Sequence, residues 1–279
     1  MTFSSKINSR ARPLLGTIVE IGVYSTEENR VQEVISKAFK KIENIERLMS
    51  RFRDESDVAK INRLKVNETL IISSDLMQVL ELAHDISIMS GGVFSISPLS
   101  PKAGDVVKLS AGRRVKRLRS GLIDLGGIAK GYAVDRAIDY LKSAQVDSAY
   151  VNAGGDVRAF GVPHSVFVRH PTTPNKSVAS VNLYDNALAT SATYYGEVNA
   201  EQSGKIVNPI TGQPVAPGVS VSVMASTCIV ADALTKCMLM MEDKVHPILH
   251  QFDACGFWVH GDHVTSFPKQ INRLPSYAN

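Results

Sequence analysis

The run Ile123-Asp124-Leu125-Gly126-Gly127-Ile128-Ala129-Lys130-Gly131-Tyr132 constrains this chain more than any other. It reads as a short apolar strand, a glycine turn and a helix whose Ala133, Val134, Ala137, Ile138 and Leu141 fall on one face. Gly126 and Gly127 lack a Cβ, so the backbone there is free to take φ > 0 or to lie against a ligand. The unpaired N–H groups of the following helix favour an anion, typically phosphate. Asp124 leads into the turn and Lys130 stands in the first helical turn. A second small-residue turn, Asn152-Ala153-Gly154-Gly155-Asp156, follows the strand-like Ala149-Tyr150-Val151. Together the two turns suggest a floor for a flat or phosphorylated ligand. Taken singly, each is also an ordinary tight turn.

The rest of the chain supplies a mixed architecture. Leu14 to Val23 reads as a first strand, rich in Thr, Val and Ile. Ser25 with Glu28 has the form of a capping box. Behind it Val31, Val34, Ile35, Ala38, Phe39, Ile42, Ile45 and Leu48 make one apolar stripe, a helix of about six turns that stops near Met49 to Phe52. Asp54 to Asn62 is a loop or short helix, and Thr69 to Ile72 a strand. Ser73 or Ser74 caps a helix through Leu76, Val79, Leu80 and Ala83 that ends at Ser90-Gly91-Gly92. Val93 to Pro98 alternates like a strand. Further strands are expected at Ser165 to Val168, Val178 to Leu183 and Val219 to Val223. Ala187 to Ala192 is a run of small residues, and Asn208 to Gly212 a turn. Ile229 to Met241 is a helix, and Phe257 to Phe267 a closing hairpin. Strands and helices mix without strict alternation, so the fold class is α+β, in a single domain over residues 1–279.

Composition excludes several functions. The net charge is +4, and Lys and Arg concentrate only between Lys108 and Arg119, without interleaved aromatics, which is a solvated loop or hairpin rather than a nucleic-acid surface. The three cysteines, Cys228, Cys237 and Cys255, are far apart and odd in number, so neither a disulfide framework nor a structural zinc site is indicated. No segment approaches the roughly 20 apolar residues that span a bilayer. The chain reads as cytoplasmic.

Several stretches together resemble the FAD:protein FMN transferases, the ApbE-like flavin transferase family. Leu15-Gly16-Thr17 stands at the family's entry Met-Gly-Thr, and Met49-Ser50-Arg51-Phe52 with Ser56 and Asn62 at its Met-Ser-x-Tyr segment. Ser90-Gly91-Gly92-Val93-Phe94 resembles Ser-Gly-Gly-Ala-Phe-Asp. Ile123 to Tyr132 with Asp135 is close to Asp-Leu-Gly-Gly-Ile-Ala-Lys-Gly-Tyr-Ala-x-Asp, the longest and most specific of the motifs. Asn152 to Asp156, Ala189-Thr190-Ser191, Asn208 to Gly212 and Ala231-Asp232-Ala233 complete the series in the family's order.

The resemblance implies mixed sheets packed with helices, related to the T-fold, with a ligand cleft between the halves. It implies that FAD is substrate, that Mg2+ is bound at the pyrophosphate, and that FMN passes to a Thr or Ser hydroxyl of an acceptor flavoprotein with release of AMP. Leu15, Phe52, Val93, Phe94, Ser95, Asp124, Lys130 and Val207 match FAD-contacting positions, with Asp124 accepting hydrogen bonds from the adenosine or flavin part. Gly127, Asp232 and Thr235 match metal-ligand positions, the last two three residues apart on one helix face. Asp232 and Lys236 are the candidate catalytic pair.

Four departures bear on this chemistry. Lys236 replaces the family's Thr four residues after the metal Asp, and Ser95 replaces an Asp. Lys205 stands for a His and Asn208 for an Asp. Ser191-Ala192-Thr193-Tyr194 replaces Ser-Gly-Asp-Tyr. Lys236 lies one turn from Asp232, placed either to neutralise phosphate or to pair with Asp232. A non-catalytic flavin binder and an FAD pyrophosphatase are the alternative readings.

Overall fold

The computed structural model describes residues 7–25, 28–97, 106–173, 175–193, 206–215, 218–261 and 263–267. Its centre is an eight-stranded antiparallel sheet built from β1 (Ile7–Leu14), β2 (Thr17–Tyr24), β6 (Ala149–Ala153), β7 (Asp156–Phe160), β10 (Asn186–Ala192), β11 (Val219–Ala225), β12 (Cys255–His260) and β13 (His263–Phe267), paired in that order. A second sheet pairs β3 (Thr69–Ile71), β5 (Arg114–Arg117) and β4 (Val107–Ser110). A third joins β8 (His164–Arg169) to β9 (Ser177–Leu183). The helices are α1 (Glu28–Met49), α2 (Asp57–Arg63), α3 (Ser74–Met89), α4 (Ala129–Ser143), α5 (Cys228–Met241) and α6 (His246–Gln251). This is the expected α+β arrangement.

One face of the large sheet is covered by α1, α4 and α5. The α1 stripe buries Val31, Val34, Ile35, Ala38, Phe39, Ile42 and Ile45, each worth roughly 2 kcal/mol for a full-sized aliphatic or aromatic side chain. The sheet answers with Val19, Ile21, Val23, Val151, Ala187, Ala189, Val221 and Val223 at alternating positions. On the opposite face Val157, Ala159, Leu188, Phe257 and Val259 pack beneath the β8–β9 hairpin through Val168, Ala179, Val181 and Leu183.

Three local expectations are corrected. Leu14 to Val23 is not one strand: Leu15, in the left-handed region at φ 56°, and Gly16 turn the chain between β1 and β2. Leu122 to Leu125 buries Ile123 and Leu125 but belongs to no sheet, because the Asn62 amide plays the neighbouring strand. Its Nδ2–H donates to Ile123 O at 2.9 Å, and its Oδ1 accepts from Ile123 N at 2.8 Å. Val93 to Ser97 likewise forms no strand; Phe94 N donates to Ser90 Oγ at 3.0 Å and Ser97 N to Ser95 Oγ at 3.0 Å. The Ser25–Glu28 capping box reaches outside the described residues, as do Tyr194 and Lys205. The basic segment is the β4–β5 hairpin.

Candidate active site

The turn at 126–127 delivers the chain into α4, and α4 lies against α5 through Gly131. A Cβ at Gly131 would stand 2.3 Å from Cys228 O, so only glycine permits the approach. Gly131 N then donates to Asp232 Oδ2 at 3.1 Å. Asp135 of α4 reciprocates, accepting from Cys228 N at 2.9 Å and Ile229 N at 2.8 Å, and pairs with Arg158 of β7 at 2.7 Å. Each helix therefore has N–H groups of its first turn satisfied by an aspartate of the other, in place of a cap from its own sequence.

This seam gathers the charged candidates. Lys236 lies one turn beyond Asp232, and its stem runs back toward the N-terminus of α5, as helical side chains do. Its ammonium donates to Asp232 O at 2.9 Å and is ion-paired with Asp232 Oδ1. Lys130, in the first turn of α4, is ion-paired with Asp156 at the start of β7. Asp232 is fully buried and Asp156 nearly so, 1% exposed. Burial drives both carboxyls upward. At Asp156 it prevails, helped by the Asp232 charge and opposed by Lys130 and Lys236, and the carboxyl is pushed up to about 6. At Asp232 the opposing charges of Lys236 and Lys130 overcome burial and hold the carboxyl below its ordinary value. Lys130 is desolvated, yet the Asp232 and Asp156 charges raise it above the usual lysine range.

Gly127 and Phe94 complete this group. A Cβ at Gly127 would lie 3.5 Å from Lys236 Cε and 3.7 Å from Phe94 Cε2. Neither Gly126 nor Gly127 has a positive φ, and a Cβ at Gly127 would meet only ordinary van der Waals contacts, so the packing of the protein alone does not demand glycine at 127. Thr235 is buried, donating to Asp232 O at 2.6 Å with its Oγ1 2.7 Å from Ser191 Oγ.

A second group forms the rim. Asp124 accepts from Gly126 N at 2.9 Å and pairs with Arg51 at 3.1 Å, and the Arg51 guanidinium lies 4.2 Å from the Phe52 ring centre. Phe52 is 81% exposed, a bare aromatic face beside a cation. Val93 and Ser95 flank the buried Phe94 and are half-buried. Leu15 and Val207 sit apart. The first donates its N–H to Glu46 Oε1 at 3.0 Å in the β1–β2 turn, and the second bridges to Pro214. Among the described residues no hydrogen bond or ion pair links either to the Lys236–Asp232 group. A cavity of about 660 Å3 on the sheet's opposite face, bounded by Thr17, Asn152, Gly154, Gly155, Phe167 and Thr190, is lined by the second glycine turn but by none of the candidate FAD, metal or catalytic residues.

Sequence reading missed Asp156, Asp135 and Arg51 as partners. Asp156 and Asp135 lay inside quoted motifs, but Asp156 of β7 pairs with Lys130 of α4, and Asp135 of α4 with β7 and α5, contacts that only the packing of these elements makes.

The donor set does not fit a divalent metal as arranged. Both carboxylate oxygens of Asp232 are engaged, and the Thr235 hydroxyl is bonded within the protein. Among the described residues no group of three or more His, Cys, Asp or Glu side chains converges to hold an ion. Magnesium demands near-octahedral oxygen ligation at about 2.1 Å. A dication about 4 Å from the Lys236 ammonium would also be repelled by about 8 kcal/mol at an effective dielectric of about 20.

Known proteins share this framework. A family model described as the ApbE family matches residues 15–109 and 102–255. A Treponema pallidum protein named FAD:protein FMN transferase is 27% identical over 300 residues, spanning 88% of this chain and 82% of the relative. A Vibrio cholerae protein of the same name is 27% identical over 239 residues, spanning 73% and 72%. The crystal structure of the ApbE protein from Thermotoga maritima superposes with a TM-score of 0.81 at 26% identity, over 96% of this chain and 97% of that one. The flavin transferase ApbE from Vibrio cholerae shares the fold, with a TM-score of 0.75 at 20% identity over 98% and 97%. The chain belongs to the ApbE family.

Proposed function

We propose that this chain is an FAD:protein FMN transferase, acting as one domain over residues 1–279. It moves FMN from FAD to a Thr or Ser hydroxyl of an acceptor flavoprotein. The hydroxyl oxygen bonds to the phosphorus of the FMN half, the bridging P–O bond breaks, AMP leaves with the bridging oxygen, and the hydroxyl proton is released. The relatives' shared name supports the reaction class. The observation that carries it to this chain is the convergence of Lys130 and Lys236 on the first turn of α4, beside Gly127.

Phosphoryl transfer asks chiefly for positioning and for positive charge on the phosphate oxygens. Lys236 and Lys130 supply that charge, and the buried Asp232 and Asp156 fix where the two ammonium groups stand. Phe52 with Arg51 offers a platform for a flat ring system, with Asp124 as an acceptor at its edge. Leu15, Val93, Phe94, Ser95 and Val207 belong to the same FAD-binding reading. No helix among the described residues is long and apolar enough to cross a membrane. The buried thiols of Cys228 and Cys237 support a cytoplasmic setting.

Incubation of the protein with FAD and candidate acceptor flavoproteins tests the reading. The expected result is a fluorescent acceptor band on a denaturing gel together with stoichiometric AMP. FMN and AMP free in solution would assign FAD hydrolysis instead, and tightly bound but unchanged FAD would assign a carrier.

A further inference from the structure

We infer that the Lys236 ammonium replaces a divalent cation at the diphosphate of FAD, so that this chain binds its substrate without metal. The inference rests on the FAD reading above and deepens it. Four charges meet at the α4–α5 seam, and they cancel in pairs: Lys130 with Asp156, and Lys236 with Asp232. A carboxylate that served a metal would keep an oxygen turned toward the ion. Here Gly131 N–H holds one oxygen of Asp232, the ammonium pairs with the other, and the residue is fully buried behind them. The cation is therefore already in place, carried on the same helix and fixed by the carboxylate that would otherwise recruit an ion.

Lys236 is also suited to face a ligand. Its side chain keeps 16% exposure, whereas Asp232 beneath it has none. Both of its acceptors belong to Asp232, so among the described residues its third N–H has no acceptor. Its stem lies on the Cβ side of Gly127, where a diphosphate would approach the start of α4. An ammonium offers a diphosphate oxygen a charge-assisted hydrogen bond, as P-loop lysines do.

Calorimetric titration of the intact protein with FAD, first in EDTA and then in excess MgCl2, tests this directly. The expected Kd is the same within about twofold in the two conditions, since no metal-borne charge-assisted bond is gained or lost. Electron paramagnetic resonance of added Mn2+ should show no protein-bound ion with or without FAD. Lys236→Thr, which opens the Asp232 lobe, should weaken FAD binding in EDTA by about tenfold to hundredfold, the worth of one charge-assisted bond. Magnesium should restore that variant's affinity, a rescue that a purely structural lysine would not show. A wild-type FAD affinity that collapses in EDTA, or one tightly bound Mn2+ per wild-type chain, overturns the inference and leaves the flavin reading standing. Should Lys236→Thr fail to fold, the two wild-type measurements still decide. No uptake of FAD in either condition overturns both.

Discussion

Asp135 and Asp232 occupy matching places on α4 and α5 and have opposite fates. Each reaches across to the first turn of the other helix. Asp135 is met by the Arg158 guanidinium and by two backbone N–H groups of α5. Burial raises its carboxyl despite Arg158 and two backbone N–H groups. Asp232 is met by a lysine on its own helix, with a second lysine nearby, and those charges lower its carboxyl despite complete burial. An arginine fork closes a buried acid into a structural joint. A pair of lysines holds the other acid ionised and leaves one ammonium partly exposed at the seam. The same packing device thus serves as scaffold at one end of the seam and as candidate site at the other.

The largest effect should come from Asp135→Ala. It strips two N–H groups of their acceptor and leaves Arg158 buried without its closest partner, which should cost about 3–5 kcal/mol in urea unfolding. Asp232→Ala should cost less, about 1–3 kcal/mol, because the lysine it releases is free to turn toward water. Equal costs would erase the distinction between joint and site. Next in size is Gly131→Ala, whose methyl meets Cys228 O and forces the helices apart; about 2–3 kcal/mol is expected, with loss of FAD affinity because Asp232 moves with α5.

The pH dependence sharpens the contrast. Asp156 keeps its proton up to about 6, against 3.8 for an ordinary aspartate, so between those values the folded state binds more protons than the unfolded. Its contribution to stability therefore falls as pH rises through that window. Asp232, held below 3.8, works the other way: its contribution is complete above 3.8 and is lost as pH falls through its lowered value. Melting temperatures of wild type and Asp156→Asn should diverge from pH 4 to 6, with the wild type losing ground, and run parallel above. A constant offset across that range would contradict the buried-acid assignment. The smallest structural effect is expected at Phe52→Ala: stability within about 0.5 kcal/mol, since the ring is exposed, but FAD affinity lower by about fivefold to tenfold.

The elements that carry the scaffold were legible because their signals are local. The apolar stripe of α1, the alternation in β11 and the apolar run of α5 each declare a period within one element. The spacing of Asp232 and Lys236 also places an ion pair on one helical face without reference to the fold. What stayed hidden depends on partners distant in sequence. Ile123 looks like a strand because it is apolar and extended, and its neighbour turns out to be the side chain of Asn62. Leu15 carries no signal for its left-handed turn, which is held by packing and by Glu46. Lys130 was identified through the motif around it, but its pairing with Asp156 exists only because β7 lies third from β2's edge neighbour in a sheet whose order the chain does not spell out.

A crystal structure of the protein with FAD, grown in EDTA, tests the central claim most directly. The account predicts a diphosphate oxygen within hydrogen-bond distance of Lys236 Nζ, the Lys236–Asp232 pair intact, and no metal density between them. A diphosphate bound away from the α4–α5 seam, or one ordered only when magnesium bridges it to Asp232 with Lys236 swung aside, would contradict it.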